Sequence, residues 1–227
     1  MQLPFIITTM LMLYTLPAWA QPGTASQTLE RIQAYYDSAE QHEYDINIAY
    51  FEDYTDATPA SEVRMNVQQT GSSSYRKIEN GTETLEQFFG KGISLEVDHN
   101  QRTVRYDQLS TEMTLQTPVL QAVVEMAELP GMQLKILDKN GLRLHAPGKS
   151  GTQIDLFYDP VHYRLLKISM LIEVDAKQTQ LGFNGTKMIC NFTYPERTAT
   201  KQLSDFLVGN SAAYQLAEAY QTFTLFR

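Results

Sequence analysis

The residues best suited to chemistry in this chain are four histidines and a single cysteine. His42, His99, His145 and His162 are far apart in the sequence, and no two have the spacing of a metal-binding pair such as HExxH. Cys190 lies in an apolar, strand-like run with no base nearby to activate a thiol, so we interpret it as a small buried side chain. Neither a metal site nor a cysteine nucleophile is predicted.

The sequence signatures of common enzyme classes do not occur either. The chain contains no GxSxG, GxGxxG or P-loop motif. Its 26 acidic residues form no pattern that identifies a catalytic pair. We therefore expect no catalytic residues, no metal and no cofactor, and a secreted enzyme with an unrecognised site remains an alternative.

The first twenty residues are typical of a secretory signal peptide. They contain no Asp, Glu, Lys or Arg and end on Ala18-Trp19-Ala20, a small-x-small pattern for cleavage. Their apolar part is shorter than the about 20 residues that cross a bilayer. We predict that residues 1–20 are removed after Ala20, and that the exported protein has no lipid anchor, since no cysteine follows the cleavage site.

Composition narrows the possible partners of residues 21–227, which we expect to form one domain. The formal charge of −8 disfavours nucleic acid, whose phosphates are usually bound by Lys and Arg. One cysteine allows no intramolecular disulfide, so the fold depends on its hydrophobic core.

Hydrophobic spacing predicts two helices in this domain. Leu29, Ile32 and Tyr36 recur at helical spacing, and Ser26 is placed to cap the first turn. A second helix is predicted to begin at Thr117-Pro118 and to end before Pro130-Gly131.

Alternation of apolar and polar residues predicts a series of antiparallel strands. They cover residues 44–50, 63–68, 75–78, 92–98, 103–107, 134–136, 142–144, 154–158, 166–172 and 188–194. In 166–172 the predicted apolar face consists of Leu166, Ile168, Met170 and Ile172. Residues 203–227 mix both spacings and give no prediction. The pattern indicates an α+β fold with a strongly curved antiparallel sheet, an incomplete barrel, covered by a few helices.

One stretch of the chain resembles a known family. The order of strand, loop, strand, turn and strand is carried by Leu142-Arg143-Leu144, Gln153-Ile154-Asp155-Leu156, Asp159-Pro160 and Leu165-Leu166-Lys167-Ile168. This order, with the run 62–107 and the leading helix, is similar to that of the LolA/LolB-type periplasmic lipoprotein carriers. The resemblance implies an incomplete barrel, closed by helices, around a hydrophobic cavity for acyl chains.

The resemblance also implies partners and a location. A periplasmic protein is expected to bind a lipid or acylated lipoprotein, to shuttle it between membranes as a monomer, and to meet protein partners at the inner and outer membranes. The expected cavity lining is Ile46, Ile48, Met65, Val67, Leu156, Ile168 and Met170. The family's cavity arginine has no counterpart in strand 44–51, and Arg64 and Arg76 are alternatives for it.

A second interpretation uses the same fold differently. Methionine and aromatic residues are frequent in the predicted strands, and they would either line an adaptable cavity or fill a packed core. With a filled core, the protein would be an exported regulatory or protein-binding module with no lipid cargo.

Overall fold

The computed structural model describes residues 24–38, 41–71, 73–109, 118–146, 151–172, 185–196, 200–210 and 213–227. The predicted signal peptide and the predicted cap at Thr117 lie outside these residues, and the single domain from residue 21 stays a prediction. Within the described residues the chain has two α-helices, α1 (Ala25–Asp37) and α2 (Pro118–Ala127).

Strands make up most of the remaining chain. Their bounds are β1 (His42–Phe51), β2 (Ser61–Thr70), β3 (Ser73–Asn80), β4 (Glu83–Gly90), β5 (Ile93–Asp98), β6 (Thr103–Gln108), β7 (Gln133–Asp138), β8 (Gly141–His145), β9 (Thr152–Tyr158), β10 (Leu165–Ile172), β11 (Thr186–Thr193), β12 (Leu207–Val208), β13 (Gln215–Leu216) and β14 (Thr224–Phe226). The sequence did not predict β4, nor the short strands β12 to β14.

Twelve of these strands form one sheet, in the order β14-β6-β5-β4-β3-β2-β1-β11-β10-β9-β8-β7. All neighbours are antiparallel except β14, which runs parallel to β6. The two end strands, β14 and β7, are not paired with each other, so the curved sheet is an open, incomplete barrel. The predicted fold class is confirmed.

The two sides of this sheet are buried along different strands. Paired residues on neighbouring strands point to the same side, and successive residues point to opposite sides. The register therefore places Tyr44, Val67 and Arg76 on one side, and Gln68, Tyr75 and Phe88 on the other. We call the first side the helix face and the second the tail face.

The helix face is buried along β1, β2 and β8 to β11. Both helices pack there: Leu29 and Ile32 from α1 and Leu120 and Val123 from α2 join one cluster with the strand residues. The exposed residues Gln121 and Glu125 occupy the other side of α2, as its helical spacing predicts, and exposed Glu128 follows the end of the helix.

The tail face is buried instead along β3 to β6. Its cover is the C-terminal segment 203–226, which contains two single turns of 3₁₀ helix, Leu203–Asp205 and Glu218–Tyr220, and the short strands β12 to β14. Phe206, completely buried, stacks on Tyr75 and Tyr220 with ring centroids 6.0 and 5.5 Å away. This segment, hereafter the tail, closes a second hydrophobic core on the opposite side of the same sheet.

Two local predictions were wrong. Thr24, not Ser26, caps α1: its hydroxyl accepts from the N–H of Gln27, and the Gln27 side chain accepts from the N–H of Thr24. This reciprocal pair satisfies two N–H groups of the first turn, which Ser26 inside the helix does not do.

The apolar face predicted for β10 was wrong for Leu166, which is exposed, whereas Ile172 is exposed but lies on the predicted face. A bulge inserts Leu166 between Leu165, which pairs with Tyr158, and Lys167. Leu165 therefore takes the buried position, and Ile172 ends the strand beyond the helix-covered core.

A hydrogen-bonded tyrosine pair fastens α1 to the sheet at this bulge. The N–H of Leu165 donates to the hydroxyl of Tyr36 at 3.0 Å, and the hydroxyl of Tyr194 donates to the carbonyl of Leu165 at 2.7 Å. The two hydroxyls lie 2.5 Å apart, so Tyr36 donates to Tyr194. Both backbone polar groups of Leu165 thus have hydrogen-bond partners inside the core.

Replacing Tyr36 by Phe tests this arrangement. Tyr36→Phe leaves the buried N–H of Leu165 without an acceptor, so the free energy of unfolding should fall by about 1–3 kcal/mol. Urea denaturation followed by far-UV circular dichroism measures it. Tyr163→Phe is the matched control, because it removes an exposed hydrogen bond from Arg31 and should change stability by less than about 0.5 kcal/mol. Equal losses in both variants would contradict this role.

Candidate functional site

The seven residues predicted to line a cavity all lie on the helix face. The strand register pairs Ile46 with Met65 across β1 and β2, and Leu156 with Ile168 across β9 and β10. Met170 lies two residues after Ile168 on β10, and therefore on the same face. Four of the seven are fully buried in the helix-face core, namely Ile46, Val67, Leu156 and Ile168. The other three, Ile48, Met65 and Met170, are half-buried and pack against that core. Their part in ligand binding stays a prediction.

Partly exposed apolar side chains border the buried core of the helix face. Met188 pairs with Tyr50 on one side and with Met170 on the other, while Ile48 and Met65 lie on the adjoining strands. Tyr50 is 41 % exposed, although it shares the face of fully buried Tyr44 and Ile46. We call Ile48, Tyr50, Met65, Met170 and Met188 the methionine patch.

The chemistry of the methionine patch is apolar and adaptable. Methionine has three rotatable bonds and a polarisable sulfur, so it can adjust to ligands of different shape. Beside the patch, Cys190 pairs with Ile48 and Ile168 and is completely buried. Burial raises the pKa of its thiol to about 11, so the thiol stays neutral, as a small apolar side chain does.

The two arginines proposed from the sequence point to opposite sides of the sheet. Arg76 lies on the helix face, where it pairs with Val67 and is half-buried, and burial lowers its pKa. Arg64 lies on the tail side of β2, where it pairs with Asn47. Arg76 is thus the arginine on the same face as the methionine patch.

The histidines do not converge on one site. His42 contacts Ser38 at 2.7 Å, His162 contacts Asp159 at 2.9 Å, and His99 contacts Glu86 at 2.5 Å. Across the parts of the chain that are described, no group of three or more His, Cys, Asp or Glu residues is arranged to hold a metal ion. No described helix is long and apolar enough to cross a bilayer.

A buried carboxylate holds the tail to the sheet. Glu86, in the centre of β4, accepts hydrogen bonds from the hydroxyl of Tyr75 at 2.7 Å and from the hydroxyl of Tyr220 at 3.1 Å. His99 contacts the same carboxylate, and its ring packs edge-on against Phe223 of the tail. Sequence reasoning missed this cluster, because its members come from four separate segments with no common spacing.

The cluster controls the ionisation of its members. Burial raises the pKa of the Glu86 carboxyl, but hydrogen bonds from Tyr75, His99 and Tyr220 outweigh it, and the net pKa is lowered. Burial first, and then Glu86 itself, raises the pKa of Tyr75 above its usual range, and the same causes act on Tyr220. The folded state therefore favours a carboxylate with two neutral phenols.

These pKa directions predict how stability depends on pH. A lowered carboxyl pKa stabilises the fold above about pH 4.3, and that contribution is lost as the pH falls through the folded value. A raised phenol pKa stabilises the fold below about pH 10, and that contribution is lost as the pH rises further. The cluster is therefore most stabilising between about pH 5 and 9.

The variant Tyr75→Phe isolates this effect. Between pH 5 and 9 it should unfold more easily than wild type by about 1–3 kcal/mol, because a buried carboxylate loses a donor. Above pH 10 the difference should shrink, since the unfolded wild type alone gains the ionisation of Tyr75. Denaturant titrations at each pH measure both, with Tyr54→Phe, an exposed tyrosine, as control. A difference that stays constant to pH 11 would refute the assignment.

Among known proteins, the chain is similar in fold to several solved structures. No protein-family model matches the chain, and no curated protein matches it. Among solved structures, the chain is similar to one in the complex of Pseudomonas aeruginosa MucA/MucB, with 13% identity and a TM-score of 0.43, over 85% of this chain and 63% of that one. It therefore spans less than two thirds of that protein's length.

Two further similar structures have descriptions that match the family named in the sequence analysis. A putative outer membrane lipoprotein-sorting protein domain from Vibrio parahaemolyticus is 10% identical, with a TM-score of 0.32, over 75% of this chain and 93% of that domain. A LolA superfamily protein from Nitrosomonas europaea is 10% identical, with a TM-score of 0.21, over 78% and 96%. The predicted resemblance is confirmed as a likeness of fold alone. At such low scores, these structures carry no argument about what the chain binds.

Proposed function

We propose that this protein is an exported, periplasmic binding protein that holds the acyl chains of a lipid or lipoprotein against the methionine patch and shuttles them between membranes. The observation that supports the proposal is the apolar row on the helix face, where Met188 pairs with both Met170 and Tyr50. This row continues a fully buried core outward into half-buried side chains. The apolar leader at residues 1–20 supports the location.

The energetics of lipid transfer suit such a surface. Each buried CH₂ group is worth about 0.8 kcal/mol, so an acyl chain of about 16 carbons costs roughly 12 kcal/mol to expose to water. A carrier must therefore cover the chain with apolar side chains, and it needs no catalytic group to do so. Flexible methionines allow the covering to adapt to chains of different length.

A protein-binding module is the second candidate. It is favoured by the complete burial of Leu156 and Ile168, because side chains that already fill the core have no surface left for an acyl chain. In that case the methionine patch would contact a protein partner, and the core beneath it would stay closed.

Substitution within the methionine patch tests the carrier proposal. The double variant Met170→Gln and Met188→Gln keeps side-chain size but adds two amides. We expect the affinity for a fluorescent fatty acid to fall about tenfold, which is about 1.4 kcal/mol. Val161→Gln, in an exposed turn on β9–β10, is the control and should leave the affinity unchanged.

Mass spectrometry of organic extracts from gently purified protein gives an independent readout. A co-purified lipid that is depleted in the double variant supports the carrier. A wild-type protein that is reproducibly empty and also fails to bind the fatty acid would exclude it and leave the protein-binding module.

A further inference from the structure

A cavity of about 360 Å³ lies on the tail face, on the side of the sheet away from the methionine patch. Tyr75 and Phe88 form its floor on β3 and β4, and the β2–β3 turn contributes Thr70 and Ser73. Residues 200–203, which lead into the tail, lie on the other side. The cavity is therefore a junction between two hairpin turns and the tail, and neither the fold nor the proposed function accounts for it.

The charge of this cavity is opposite to that of the whole chain. Of the described residues that line it, two are lysines, Lys91 and Lys201, and none is Asp or Glu, although the chain has a formal charge of −8. Among the described residues neither ammonium group has a hydrogen bond or ion pair, and that of Lys201 lies over the Phe206 ring, 5.6 Å from its centroid. The N–H of Lys201 donates to the Gln68 side chain at 2.9 Å, which holds the segment before the tail against β2 beside the cavity.

The backbone at Lys91 gives a second, independent observation. Gly90 pairs with Ile93, so Lys91 and Gly92 are the two central residues of a tight turn, with φ of 54° and 72°. Such turns favour Asn, Asp or Gly at both central positions, and a lysine there is strained. Strained residues cluster at binding sites, where a particular side chain is needed despite its conformation.

The neighbouring turn is held tightly against this one. A Cβ atom added at Gly90 would lie 2.4 Å from the Ser73 hydroxyl oxygen, so the hydroxyl packs on the bare backbone of that glycine. Close contact between the two turns places the hydroxyl of Ser73 on the same cavity as Lys91. Hydroxyl and ammonium groups are among the donors with which proteins bind phosphate.

We propose that this cavity binds the phosphate group of a small phosphorylated ligand. Lys91 and Lys201 neutralise a group that carries nearly two negative charges at pH 7. Hydroxyls of Thr70, Ser73 and Thr200 donate to its oxygens, and the aromatic floor contacts the carbon skeleton attached to it. This site is independent of the acyl-binding proposal, since it lies on the opposite face of the sheet.

The phosphate could belong to a soluble molecule or to a lipid headgroup, and two probes distinguish them. Isothermal titration calorimetry at low salt measures binding of phenyl phosphate and of inorganic phosphate. Cosedimentation measures binding to vesicles of phosphatidylcholine with and without phosphatidic acid. Saturable binding of phenyl phosphate indicates a soluble ligand, and binding only to vesicles with phosphatidic acid indicates a headgroup.

Charge-removing variants decide whether the cavity is responsible. Lys91→Asn fits the turn better than lysine, so the double variant with Lys201→Gln should stay folded by circular dichroism. We expect its affinity for the probe that wild type binds to fall tenfold or more. Lys135→Gln removes one charge from an exposed position on edge strand β7 and should change the affinity less than twofold. No binding of any probe by wild type, or an equal loss in the Lys135 control, would overturn the proposal.

Discussion

The structure depends on one constraint: successive side chains of a strand point to opposite faces of the sheet, so each apolar face needs its own covering segment. In this sheet the buried side changes between β2 and β3. Val67 on β2 belongs to the helix-face core, whereas Tyr75 on β3 belongs to the tail-face core. A single continuous sheet therefore needs two covers on opposite sides, and these covers are of different kinds. Amphipathic helices pack on one half, and an irregular tail packs on the other.

The two covers differ in the interactions that hold them. The helices are held mainly by apolar contacts and by the tyrosine pair at the bulge of β10. The tail is held by aromatic stacking on Phe206 and by a carboxylate, Glu86, that is taken out of water. A buried charge is costly unless each of its oxygens has donors, and here Tyr75, Tyr220 and His99 provide them. This arrangement ties the position of the tail to a few hydrogen bonds with defined geometry.

The sequence predicted the helices and strands in which buried apolar residues recur at a regular spacing. Regular alternation in β1, β2, β9 and β11 and helical spacing in α1 and α2 were sufficient, and the family resemblance supplied the open sheet. Strand β4 was missed because Glu86 occupies a buried position and adjacent Phe88 and Phe89 break the alternation. The tail was missed because its short turns have no period of their own. At Leu166 a one-residue bulge shifted the buried position, which no local pattern indicates.

The predicted lining residues follow a local sequence pattern, whereas the regions found only in the structure are built from segments that are distant in the sequence. Residues such as Ile46 and Met170 were identified because they lie on regular strands, and the register places them on one face. The cluster at Glu86 and the cavity at Lys91 each join distant segments, so only the folded chain brings their members together.

Pairing of β14 with β6 has a consequence for the order of folding. The hairpins from β1 to β6 are contiguous in the chain and can form locally, and such contacts form fast. The tail, in contrast, pairs Thr224 with Thr103 across more than half of the chain. Until residues 203–226 emerge from the ribosome, the apolar side of β3 to β6, with Phe88, Leu95 and Val97, lacks the cover that they provide. The tail-face core therefore forms only after the tail has been made, and a nascent chain, or one cut before residue 203, presents this apolar surface to other proteins.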